Sequence, residues 1–250
     1  MWNTNRDIGT MGRAEKRKKM EKSDRLNALS AALFFGALWG MAEATAGHAL
    51  HVLRIPGLAG FLMFPLGYLF MSRAFARSGR LASIFLTSWV AASIKLVDVF
   101  MPGTDVMAVW NPVQAILLEG LAAAGLLHFM AKRRSWIPAA KHPAKLAAAG
   151  SFLAACPVPA ALSWRLAYFA LSLFWGWLFH APNILRTGSP SLFRFIIIDS
   201  LANGALILIL NWAFPASYPS GVHYKTDRPR LIQAVSFACL AAALCLEAIL

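Results

Sequence analysis

Nine side chains set the terms on which this chain can do chemistry: Glu43, His48, His51, Lys95, Asp98, Asn111, Glu119, Asp199 and Asn203. Each lies inside or at the rim of a long apolar stretch. A charge at the centre of a membrane helix costs roughly 2.5–3.5 kcal/mol on insertion scales. Groups placed there therefore pair with one another, line a cavity or face the interior. Lys95 and Asp98 are three residues apart, Asp199 and Asn203 four, and Asn111, Ala115 and Glu119 step by four. Each set falls on one stripe of a helix. Lys95 is positioned to neutralise Asp98, Glu119 or Glu43. The chemistry on offer is recognition of a small polar or charged solute, with the two asparagines orienting it.

Two other chemistries rank lower. Glu43, His48 and His51 are a carboxylate–imidazole set of the kind that holds divalent metals. Their spacing, Glu-x4-His-x2-His, is not the HExxH pattern of zinc hydrolases, so these three remain metal candidates only. An intramembrane protease needs a placed nucleophile or a carboxylate pair. Asp98 and Asp199 are such a pair in type, but Lys-Leu-Val-Asp-Val and Ile-Asp-Ser-Leu-Ala-Asn carry no catalytic signature. No GxSxG or Walker A motif occurs either. A non-enzymatic role without a cofactor is expected. Cys156, Cys239 and Cys245 form no CxxC pair and read as small buried hydrophobes.

The elements that position these residues follow from composition. Of 250 residues, 58% are hydrophobic and 14% charged, against about a quarter charged in a soluble domain. Apolar stretches of roughly 20 residues span the hydrocarbon as helices, and none shows the alternation of barrel strands. The expected fold is all-α, a polytopic transmembrane bundle of six to seven spans, at about 29–50, 58–75, 81–100, 108–131, 160–181, 192–214 and 231–250. Pro157 and Pro159 interrupt the fifth region. A re-entrant or interfacial piece at 146–158 is expected before that span, with two short spans as the alternative. Residues 1–28 form a basic tail, read as solvated or as a surface helix. Residues 29–214 are expected to form a six-helix core, and 215–250 a basic loop with a seventh membrane helix.

The net charge of +13 is a topology signal. With the N-terminus inside, cytoplasmic segments carry 19 of the 24 Lys and Arg. The outer side holds Arg54, Arg186 and Arg194. This bias indicates a multi-pass protein of the inner (plasma) membrane with a cytoplasmic N-terminus, and argues against nucleic acid as a partner. Trp110, Trp175, Trp177 and Trp212 lie towards span ends, as in an aromatic belt. In this topology Glu43, His48, His51, Lys95, Asp98, Asn111 and Asp199 fall in the outer half of the bundle, with Gln114, His180 and Asn183. Glu119 and Asn203 are near its middle. That one-sidedness points to an outward-facing pocket. Arg165, near the inner end of the fifth span, is expected to snorkel, and Glu247 lies near the outer end of the seventh.

Ala28, Ala32, Gly36, Gly40 and Ala44 recur every four residues, a seam that lets another helix approach closely. The upper part shares a face with Glu43 and His51. The lower part, Ala28, Ala32 and Gly36, faces either a neighbour in the same chain or a partner subunit. Here the chain resembles the substrate-binding (S) components of energy-coupling factor transporters. These are small basic membrane proteins of about six helices with an outer pocket and no ATPase motif. Ala28-x-x-x-Ala32 is similar in form to their first-helix motif. The resemblance implies that these alanines contact a membrane coupling subunit that works with ATPases. The seventh apolar stretch departs from that family's six helices. The leading expectation is a substrate-capture subunit or small transporter in the lipid bilayer. The alternative is a non-transporting scaffold or assembly factor with a structural polar network.

Overall fold

The computed structural model describes residues 4–47, 58–100, 103, 105–134, 157–179 and 188–214, with single positions between 234 and 245. Helices account for nearly all of them, and no strand occurs among the described residues. Helix α1 (Thr4–Ala42) ends in a π-helical turn, Glu43–Gly47. Helix α2 is Leu58–Ser78. Helix α3 (Ala82–Lys95) tightens into a 3₁₀ turn, Leu96–Phe100. Helices α4 and α5 are Val106–Arg134 and Pro157–Phe179. Helix α6 runs unbroken over Ser189–Ala213, α-helical to Phe193, π-helical over Arg194–Ile198 and α-helical again from Asp199.

Four segments are long and apolar enough to cross a membrane: Glu15–Ala46, Ala82–Phe100, Val106–Lys132 and Ser189–Ala213. The basic N-terminal residues do not form a separate element. They continue α1 as exposed helix, where Arg25 pairs with Glu21 at 2.7 Å. The fifth span begins close to where the sequence puts it, at Pro157 against about 160. Pro157 and Pro159 open α5 instead of interrupting it. Proline lacks only an N–H that a first turn leaves unbonded anyway, so it is favoured there. One helix follows, to Phe179. The piece expected at 146–158 otherwise lies outside the described residues.

Helix α2 is the hub. It packs on α1, α3, α4 and α6, while α1–α3, α3–α4, α4–α5 and α5–α6 contacts link the others in series. Trp39, Phe64, Tyr68, Met71, Ile84, Val113, Leu127, Trp164 and Ile207 make the continuous apolar core. Small residues bring the axes together. A Cβ on Gly36 would stand 2.6 Å from Val90 Cβ and 2.8 Å from the Thr87 carbonyl oxygen, and one on Gly120 would collide with Ser88. The α2–α3 turn is closed by Gly79 at φ 68°, whose N–H donates to the Phe75 carbonyl at 2.8 Å.

The small-residue seam is thereby accounted for inside the chain. Ala28 is 3% exposed and Ala32 is fully buried, and Gly36 and Gly40 sit against Val90 and Ile94 of α3. Of the two neighbours left open by the sequence, the structure supplies the intrachain one.

Candidate functional site

Helical register brings charged residues of α4, α5 and α6 together in the bundle. Arg165, on α5, has 0% exposure. Its Nη1 donates to the Ala161 carbonyl at 3.3 Å, one turn back. Its guanidinium carbon lies 4.5 Å from the Trp164 ring centroid and 5.4 Å from that of Phe195 on α6. Such faces attract a cation through the ring quadrupole. The same guanidinium is within electrostatic reach of Glu119 on α4 and Asp199 on α6. Glu119 is 3% exposed and Asp199 6%.

Glu119 is the residue least provided for. Its Oε2 is buried without a hydrogen-bond partner among the described residues. Glu43, from the π turn that ends α1, acts on it electrostatically alongside Arg165. Glu43 itself accepts a hydrogen bond from Trp39 Nε1 at 3.2 Å. Asp199 faces a second cation: Arg194 Nε, on an exposed side chain, is 3.9 Å from its Oδ1. Asn203, fully buried, lies one turn along α6 from Asp199 on the same stripe.

The other sequence candidates form separate sets. Lys95 Nζ pairs with Asp98 Oδ2 at 2.6 Å across one helical turn, both side chains about one-fifth exposed. Asn111 Oδ1 accepts from Gln114 Nε2 at 3.3 Å, and Gln114 Oε1 accepts from Trp175 Nε1 of α5 at 3.0 Å. His48 and His51 lie outside the described residues. No group of three His, Cys, Asp or Glu suited to a metal occurs among the described residues.

Arg165 is where sequence reasoning fell short. Its position near one end of a span is compatible with snorkelling, and depth along the axis says nothing about which way a side chain faces. The signal lay in its neighbours: the ring of the preceding Trp164 lies under the guanidinium, and Tyr168, at i+3, packs edge-on against Trp164. Two further links were equally illegible, being made across helices. Tyr68 Oη donates to Asn211 Oδ1 at 3.2 Å, and Arg73 Nη2 to the Phe214 carbonyl at 2.9 Å.

A cleft of about 610 Å³ lies between α4 and α5, walled by Leu118, Ala122, Gly125, Ser163, Trp164 and Ala167 among others. None of the nine sequence candidates lines it. Comparison of the chain with protein-family models, with curated proteins and with solved structures gave no match.

Proposed function

We propose that this protein is a membrane-embedded substrate-capture subunit or small transporter that binds a small polar or charged solute at the Glu119–Arg165–Asp199 set. One observation carries the reading: a fully buried arginine lies within electrostatic reach of two buried carboxylates, one on each neighbouring helix, inside an apolar bundle. Burying an ion pair costs more in desolvation than good packing of apolar side chains of the same size. Ionisable groups are retained at membrane depth where a solute, an ion or a proton uses them. The unsatisfied Glu119 Oε2 is an acceptor available to a cationic or hydroxylated solute.

The bundle contains six spans in this reading. Helices α2 and α5 have 21 and 23 residues, about 31 and 34 Å at 1.5 Å per residue, enough for the hydrocarbon. Arg165 and the tryptophans lower the apolarity of α5, but Arg165 is covered by protein. The basic-residue bias puts the N-terminus in the cytoplasm of a cell with a plasma or inner membrane. Energy would come from partner subunits, since the chain carries no nucleotide motif. Resemblance to energy-coupling factor S components rests on helix number and on Ala28-x-x-x-Ala32. Those alanines are already covered within the chain, so a coupling subunit would bind beside them.

A scaffold or assembly factor is the second reading. It is favoured by the enclosure of Arg165 among Trp164 and Phe195, and by the apolar lining of the α4–α5 cleft. Mass spectrometry of solutes released from the protein purified out of its native membrane separates the two. A solute retained at about one per chain by wild type and lost from Glu119→Gln supports capture. Solute-free protein, or retention unchanged by Glu119→Gln, supports the scaffold.

A further inference from the structure

The charges around Glu119 do not balance, and the imbalance narrows the class of solute. Among the described residues, the buried carboxylates of Glu119 and Asp199 share one buried cation, Arg165. It comes from α5, the helix that packs on both α4 and α6. Asp199 has a second cation at its rim, Arg194, whose side chain is 57% exposed. Glu119 has no such second cation among the described residues. Its electrostatic neighbours are Arg165 and a further carboxylate, Glu43. Three carboxylates therefore stand against two guanidiniums, and the missing positive charge falls at Glu119.

The shortfall can be assigned to one atom. Glu43 Oε1 accepts from Trp39 Nε1, whereas Glu119 Oε2 is buried without a hydrogen-bond partner among the described residues. A carboxylate oxygen only accepts, so the group that completes it must donate. The group that balances the set must also be positive, because an unpaired buried charge is costly. An ammonium does both, through charge-assisted N–H bonds. A hydroxyl would donate but leave the charge unbalanced, and an anion would add to the excess. Divalent metals take six or more oxygen ligands, and no group of three His, Cys, Asp or Glu suited to a metal occurs among the described residues. Oε2 is closed to solvent in this form, and a compact ion needs the least opening of the bundle to reach it.

We infer that the captured solute is a small monovalent primary ammonium ion, which donates to Glu119 Oε2 and supplies the charge that the Glu43, Glu119 and Asp199 carboxylates lack. This rests on the reading of the Glu119–Arg165–Asp199 set as a solute site. Arg165, with its guanidinium against the rings of Trp164 and Phe195, limits the set to one added charge by repulsion.

Thermal stabilisation of the purified full chain by size-matched probes tests this, in a common potassium chloride background. The probes are methylammonium, ethylammonium, tetramethylammonium (charge without N–H), ethanol (size without charge), acetate, sodium and magnesium. Methylammonium or ethylammonium is expected to stabilise wild type saturably, at a concentration at least tenfold below any other probe. That preference is expected to vanish in Glu119→Gln and to persist, weakened, in Glu119→Asp. Should Glu119→Gln fail to fold, the wild-type series and Glu119→Asp still give the answer. Equal stabilisation by tetramethylammonium would overturn donation to Oε2, and preference for sodium or magnesium would overturn the ammonium in favour of a metal ion. Preference for acetate or ethanol, lost in Glu119→Gln, would overturn the ammonium and leave solute capture standing. Stabilisation by none of the probes would also overturn the ammonium. Capture itself would then be judged by the solutes released from native protein: an anionic or neutral solute retained by wild type keeps it, and solute-free protein removes it.

Discussion

Arg165 of α5 and Phe195 of α6 meet across the helix interface, with the guanidinium carbon 5.4 Å from the ring centroid and Arg165 wholly removed from solvent. The rings cover the cation there, and it lies within electrostatic reach of Glu119 and Asp199. Its loss has a defined consequence.

Arg165→Met strands the buried Glu119 carboxylate and leaves Asp199 facing the exposed Arg194. Breaking a buried pair from one side typically costs about 3–5 kcal/mol. Thermal unfolding in detergent is expected to show a large loss of stability for Arg165→Met, and a clear recovery when Glu119→Gln is added. A single variant as stable as wild type would mean that Glu119 and Arg165 are not coupled.

Lys95 is expected to matter much less. It is paired within its own helix to Asp98, and both are partly exposed. Pairs of that kind contribute about 0–1 kcal/mol. Lys95→Met should therefore shift the unfolding temperature far less than Arg165→Met. An equal or larger effect would make Lys95 the principal cation of the buried set.

The α1–α3 seam admits no added side chain at Gly36. Overpacking of this type costs about 1–3 kcal/mol. Gly36→Leu is expected to destabilise the isolated protein, because the clash is with Val90 and the Thr87 carbonyl of the same chain. Loss of copurifying partners with undiminished stability would instead place the seam at a subunit contact.

How much of this was legible in the sequence depends on direction. Axial information was good. The apolar run lengths located α2 to α6 within a few residues, and of the three carboxylates the sequence offered to Lys95, the one at i+3, Asp98, is its partner. The four-residue seam marked a close helix contact, and α3 provides it. Azimuthal information was poor. Trp175 reads as a belt residue, yet its indole is turned inward to Gln114, whereas Trp177 and Trp212 are 74% and 85% exposed. The inward face of Arg165 is set by α6, which is remote in sequence. The start of α5 was placed three residues late, because a proline signals a break or a first turn according to what precedes it.

Topology has its own test. The topology expected from the sequence puts 19 of the 24 basic residues on the cytoplasmic side, so an N-terminal tag is expected to resist an impermeant reagent in intact cells. A C-terminal tag is expected to react if 231–250 crosses as a seventh span. Labelling of the N-terminal tag would reverse the assignment.

The central claim is that the buried charges bind a solute, and thermal stabilisation of the purified full chain measures this most directly. The probes are amino acids, small carboxylates, amines, polyols, inorganic anions and divalent cations, each tested on wild type, Glu119→Gln and Asp199→Asn. At least one probe is expected to raise the unfolding temperature of wild type in a saturable manner, and to lose that effect at least tenfold in concentration in both folded variants. Stabilisation by none of the probes, or stabilisation equal in all three proteins, would contradict solute capture at Glu119, Arg165 and Asp199.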